Sequence, residues 1–222
     1  MHIPKTTEFC LGLLYLDFQC PYDCSNQEIT SKPSVYETGN KGLFSWHPVF
    51  MSIAFCLCLT EAILIFSPDS SFFFCPSSHK VKMLLHWTSQ ILALVATILG
   101  LIFIVSSKNR SELPHFVSWH SIVGLLTFVF ACGQVLCGLC LCFPQLLKIS
   151  SMAWLQRYHT MHGLIVYLLA TFTVVLAICS DWFQAQIKGL VWYVCIGLPF
   201  CPALVIMSQV ARTHLPKKRQ YV

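Results

Sequence analysis

The chain reads as an all-α, multi-pass membrane helix bundle, and three observations predict it. Hydrophobic residues fill 56% of the 222 positions and charged residues only 10%, with a mean hydropathy of +0.67, whereas soluble domains carry about 25% charged residues. The apolar residues gather into five blocks, each close to the roughly 20 residues a helix needs to cross a bilayer. Every block is continuously apolar rather than alternating, which predicts helices and excludes the strands of a membrane barrel.

The elements follow in chain order. Residues 1–41 form an atypical N-terminal segment: "FCLGLLYLDFQC" at 9–20 is apolar but too short to span. It also lacks the basic start and small-residue cleavage site of a signal peptide. The stretch after it is polar and reads as flexible, and Cys10, Cys20 and Cys24 of the N-terminal segment have the option of pairing. The five spans are expected near 46–66, 83–105, 117–142, 155–179 and 189–210. Short connections rich in turn residues, "SPDSS", "SSKNRSELP", "FPQLLKISS" and "SDWFQAQIKG", separate them and leave no room for a soluble domain. Residues 42–212 are thus one membrane domain, and 213–222 a basic tail.

Nine of the 13 cysteines lie inside apolar blocks (Cys56, Cys58, Cys132, Cys137, Cys140, Cys142, Cys179, Cys195 and Cys201) and read as small polarizable packing residues. "CGLCLCF" at 137–143 imitates a zinc motif but has no flanking loop to close a site. Lys and Arg set the orientation. With alternating spans, one face receives Lys80, Lys82, Lys148, Arg157, Arg212, Lys217, Lys218 and Arg219, and the other Lys108, Arg110 and Lys188. Leaving aside residues 1–41, the first set marks the cytosolic face and places the C-terminus in the cytosol. The run "RTHLPKKRQYV" is then an anchor for anionic lipid rather than a nucleic-acid site. The sequon at Asn109 falls on the opposite face, close to two helix ends, which argues against its use.

Each of the first four blocks carries one histidine near its start: His47, His86, His120 and His159. Successive spans run antiparallel, so His47 and His120 share one membrane face, and His86 and His159 the other. An imidazole in hydrocarbon is costly without a partner, and two at equal depth can hold one ion or one haem iron between them. The bare-ion reading lacks a third and fourth ligand at matching depth. Haem is favoured further because Gly124 and Gly163 each lie four residues after a histidine, where a missing side chain leaves a flat gap for a porphyrin. Bis-imidazole ligation suits electron transfer over oxygen chemistry. Of the two histidines in "YHTMHG", His159 has the glycine one turn on, while His162 points about 60° away and is read as a neighbour. His79 and His115 are expected in loops, and His2 and His214 are terminal. Glu61, about 21 Å along the first helix from His47 and nearly on its face, is read as capping the span end in headgroup water rather than managing a proton.

These residues carry a resemblance. "LFSWHPV" at 43–49, "TEAILIFSP" at 60–68, "LLHW" at 84–87, "WHSIVGLL" at 119–126, Gln134, Gly138, "FP" at 143–144 and "YHTMHGLIVYLLA" at 158–170 resemble the cytochrome b561 family, in particular its short "cytochrome b561 domain-containing" branch. The resemblance implies a four-helix di-haem core within a family of six-helix proteins. One haem b would be held by His47 and His120 on the non-cytosolic side, the other by His86 and His159 on the cytosolic side. It further implies a transmembrane reductase that passes electrons from ascorbate, or another small cytosolic reductant, to monodehydroascorbate radical or a ferric chelate, in an endomembrane or vesicle membrane, with a homodimer as one arrangement. Lys80, Lys82 and Arg157 are then the cations placed to attract an anionic reductant or the haem propionates, although ordinary positive-inside charges would look the same. The chain departs from the family pattern twice: residues 1–41 offer no first helix, and Ser67-Pro68 stands where ascorbate-using members carry a basic residue. Two other readings are a histidine-lined metal-ion transporter and a non-catalytic haem-binding subunit.

Overall fold

The computed structural model describes residues 35–66, 78–143 and 152–214. Among these residues there is no strand, and five helical segments are long and apolar enough to cross a membrane: Gly42–Leu64, His79–Arg110, Trp119–Cys142, Met152–Ile178 and Leu190–Arg212. The expected all-α multi-pass bundle is therefore what the chain forms, with boundaries a few residues from those read from apolarity. The Cys10, Cys20, Cys24, Ser67-Pro68, Lys148 and Lys217–Arg219 assignments, and His2, lie outside the described residues.

The first span is not uniform. An α-helix, α1 (Val35–Met51), contains Pro48. It passes into a π-helical stretch at Ser52–Leu59 and resumes as α2 (Thr60–Leu64). Pro48 has no N–H to donate to the preceding turn, and the π turns that follow each take one more residue than an α turn. This overturns one expectation: α-helical spacing does not carry from His47 through to Glu61, so the two do not share a face by simple periodicity.

The second span, α3 (His79–Arg110), has 32 residues, about 48 Å of helix against a hydrocarbon core of about 30 Å. Its ends therefore reach into headgroup water, carrying Lys80 and Lys82 at one end and Lys108 and Arg110 at the other. His79 is the first residue of this helix and not part of a loop, because the excess length extends the helix beyond the apolar block. The connection to the third span is folded by Lys108 Nζ donating to the Pro114 carbonyl at 2.8 Å, with Glu112 and Phe116 at positive φ. Ser118 then caps α4 (Trp119–Cys142) in a reciprocal capping box with Ser121.

The fourth span is α5 (Met152–Ile178). A short helix, α6 (Asp181–Gln186), capped by Ser180, follows it. The fifth span is broken into α7 (Leu190–Gly197) and α8 (Phe200–His214), the break falling at Leu198-Pro199 where proline cannot continue the ladder.

Packing divides the bundle. The first and second spans lie along each other, as do α4 and α5, whereas the two hairpins touch each other sparingly. Small residues make the first hairpin close: Ala93, Ala96, Thr97 and Gly100 form the buried stripe of α3. A buried cluster of Leu59, Leu64, Tyr167, Ala170, Ala203 and Ile206 ties α8 to the first and fourth spans. Across the rest of the surface large apolar side chains stand exposed, among them Leu92, Ile102, Val129, Leu136 and Leu204. In water such coverage would aggregate. In lipid it is the solvated face.

Candidate functional site

The four expected histidines meet as two pairs, each joining one hairpin to the other. His47 of α1 faces His120 of α4, with ring centroids 6.2 Å apart and planes at 81°. His86 of α3 faces His159 of α5 at the same 6.2 Å and 76°. His120 bonds to Thr173 near the far end of α5, fourteen residues beyond His159, so the pairs are separated by about 21 Å along that helix.

Three of the rings are fixed by main-chain carbonyls. His47 Nδ1 bonds to the Gly100 carbonyl at 3.0 Å, His120 Nδ1 to the Thr173 carbonyl at 3.0 Å, and His86 Nδ1 to the Ala62 carbonyl at 2.7 Å. The shortest of these has a local cause. Helix α2 ends at Leu64, and the Phe66 N–H turns to the Ile63 carbonyl, which leaves the Ala62 carbonyl to His86.

A carbonyl only accepts, so each of these nitrogens carries the proton, and Nε2 is left as the lone-pair nitrogen of a neutral ring. That is the form a metal binds, with the outer hydrogen bond orienting the ligand. An edge-to-face ring pair spans the same distance, and the tautomer is what separates a ligand pair from ordinary ring packing. The spacing also suits a shared metal. An ion about 2.0–2.1 Å from one nitrogen of each ring fits between rings so spaced. Among the described residues no three His, Cys, Asp or Glu side chains converge as a metal-binding group. A bare ion would lack its third protein ligand, whereas a porphyrin supplies four nitrogens of its own.

His159 differs from the other three: its Nδ1 is buried with no hydrogen-bond partner. His162 stands apart from the pair, bonding through Nδ1 to Gln134 Oε1 at 2.8 Å and stacking on Tyr158 at 5.5 Å and 14°.

The glycine expectation needs correction. A Cβ on Gly163 would lie 2.7 Å from Gln134 Nε2, and one on Gly124 would lie 3.3 Å from Thr173 Cγ2. The space beside each histidine is thus taken by a protein side chain, because α4 and α5 pack closely over their length. In the direction a Cβ would take, these glycines serve the approach of α4 to α5.

At the His47 end, Phe44 lies 6.4 Å from His47 and meets Trp182 of α6 edge-on at 4.9 Å, which screens this pair with apolar rings. Asn109 Oδ1 accepts a hydrogen bond from His115 Nε2 at 2.8 Å. At the His86 end, Lys80 and Arg157 are exposed and Lys82 is half-buried. Lys82 precedes His86 by one turn and Arg157 precedes His159 by two residues. The nine cysteines of the apolar helices are all free thiols.

In the sequence Gln134 is marked only by the family resemblance, which says nothing of its contacts. The available signal was a lone amide in a run of otherwise apolar or small residues.

A sequence model of the family described as eukaryotic cytochrome b561 matches residues 46–184. The chain is 57% identical over 178 residues to the mouse (Mus musculus) protein named "Probable transmembrane reductase CYB561D1", covering 80% of this chain and 77% of that one. It is 42% identical over 177 residues to the bovine (Bos taurus) "Transmembrane reductase CYB561D2", covering 80% and 79%. A further bovine protein, "Lysosomal membrane ascorbate-dependent ferrireductase CYB561A3", is 34% identical over 100 residues, covering 42% and 35%.

Proposed function

The chain belongs to the eukaryotic cytochrome b561 family, and from that premise we propose that it carries electrons from cytosolic ascorbate to monodehydroascorbate radical or a ferric chelate on the far side of its membrane. Membership makes it an integral membrane oxidoreductase of the transmembrane electron-transfer type. The observation that carries the finer reading is the meeting of His47 with His120 and of His86 with His159, each pair toward one end of the bundle. Family members bind haem b. In this reading His47 and His120 hold one and His86 and His159 the other, within a cytochrome domain spanning 42–212.

Bound there, haem b would supply a one-electron carrier, and holding by two histidines would suit electron transfer over oxygen chemistry. The chain's own residues do the rest. Gly100, Ala62 and Thr173 present the carbonyls that hold three rings in the metal-binding tautomer. Phe44 and Trp182 set apolar rings beside the His47 end. Lys80, Lys82 and Arg157 gather positive charge at the His86 end, where an anionic reductant would dock.

Ascorbate and ferric iron are supported by the printed name of the lysosomal relative, which also favours an endomembrane or vesicle location. The surplus of Lys and Arg on the His86 side favours a cytosolic C-terminus.

The test is direct. Purified protein should contain two haems b per chain, and in vesicles loaded with ferricyanide it should reduce the trapped oxidant when ascorbate is added outside. Colourless protein that binds zinc tightly would favour the ion-transporter reading instead. Pigmented protein with no flux would favour a haem-binding subunit that serves a partner.

A further inference from the structure

Gln134 uses both ends of its amide on α5. Its Nε2 donates to the His159 carbonyl at 2.7 Å, and its Oε1 accepts from His162 Nδ1 at 2.8 Å. Gly163, the next residue, makes this possible, since a Cβ there would stand 2.7 Å from that same Nε2. The His162 ring is held as well: Tyr158 stacks on it at 5.5 Å and Phe130 lies 5.8 Å away. A polar side chain in lipid-embedded helices finds a partner or costs free energy. Here the partners are the carbonyl of one proposed ligand and the ring of the residue three positions on.

His159 is also the histidine with the least support of its own. His47, His86 and His120 are each oriented by an Nδ1 bond to a carbonyl, whereas His159 Nδ1 is buried and unpartnered. Its ring direction therefore comes from the backbone that carries it, and the contacts fixing that backbone are those of Gln134.

We propose that Gln134 and His162 are positioning residues for His159: together they fix the depth and rotation of α5 at that ligand, and so set the properties of the His86/His159 centre without touching the His47/His120 centre. The inference rests on the reading that both pairs hold haem. A general packing role predicts something different, because loosening α4 from α5 at large would disturb both centres, each of which has one ligand on that hairpin.

The experiment uses the full chain, purified with its haem in detergent. His162→Phe keeps the aromatic contacts with Tyr158 and Phe130 but removes the donor to Gln134. Gln134→Leu removes both hydrogen bonds. His162→Asn restores an amide N–H close to the position of Nδ1. Haem content, the midpoint of each centre in a potentiometric titration and the low-spin resonance of each ferric centre are read, with His86→Ala assigning which signal belongs to which pair.

The expected result is two haems retained, a shifted midpoint and resonance for the His86/His159 centre in His162→Phe and Gln134→Leu, no shift at the other centre, and return toward the wild-type values in His162→Asn. Unshifted signals in both variants, or equal shifts at both centres, would overturn the proposal. Should Gln134→Leu fail to fold, the comparison of His162→Phe with His162→Asn decides alone. Wild-type protein with fewer than two haems would remove the underlying reading, an outcome visible before any variant is made.

Discussion

A histidine whose Nδ1–H is held by a main-chain carbonyl has one nitrogen left to use, and in the interior of a membrane it has few ways to use it. At His47, His86 and His120 the ring lies 6.2 Å, centroid to centroid, from that of a second histidine from the other hairpin. The pairing makes a prediction that belongs to single residues. Replacing His86 by Ala should lower the haem content from two per chain to one and leave the His47/His120 spectrum in place, since that centre shares no ligand with the lost one. Replacing His47 should do the reverse. Haem extraction with absorption spectroscopy checks both, and loss of both pigments from either variant would contradict two independent sites. Which histidines face each other was legible in the sequence because antiparallel alternation forces the parity. The support beneath them was not legible. That the Ala62 carbonyl is spare depends on where α2 stops, and the Gln134 contacts depend on how α4 and α5 are rotated, neither of which apolarity records.

Among the elements, the contacts within and between the two hairpins decide stability. Within the first hairpin Gly100 lets α3 approach: a Cβ there would be 2.9 Å from Met51 Cε and 3.4 Å from Phe50 Cβ. The methionine tip can move and the Phe50 backbone cannot, so Gly100→Ala should be tolerated at small cost while Gly100→Leu should force the helices apart. Because the Gly100 carbonyl also orients His47, the larger variant should lose the His47/His120 haem preferentially. Haem content and thermal unfolding read the two effects separately. Between the hairpins, buried Tyr167 shares a hydrogen bond with Thr60 at 3.0 Å. Tyr167→Phe should cost about 0.5–1.5 kcal/mol, at the low end because the Thr60 hydroxyl also donates to the Phe55 carbonyl at 3.1 Å. A melting temperature unchanged in the holoprotein would show that this bond contributes nothing net. Helix existence was plain from apolar length, and even the break at Pro199 had its residue on view. The π-helical turns at Ser52–Leu59 did not, because a run such as "SIAFCLCL" is equally apolar at any helical pitch.

At the scale of the whole molecule the bundle is polarised in charge, and this bears on how a reductant would arrive. The overlong α3 carries Lys80 and Lys82 out of the hydrocarbon beside the His86/His159 pair, and α5 adds Arg157 there. The His47 end has Lys108, Arg110 and Lys188, but Glu112 and Asp181 stand there with them, and the rings of Phe44 and Trp182 lie beside His47. An anion is therefore drawn to one end more than the other. At physiological salt charges are screened over about 8 Å, so the effect of these cations belongs to encounter more than to chemistry. The triple variant Lys80→Gln, Lys82→Gln, Arg157→Gln should therefore raise the ascorbate KM several-fold with a smaller change in kcat, and should flatten the fall of kcat/KM with added salt that the wild type shows. Reduction by a neutral reductant should be unaffected, which separates lost attraction from a damaged centre. If the variant kept the wild-type salt dependence, the cations would be orientation signals for membrane insertion alone, and the donor would have to enter by another route.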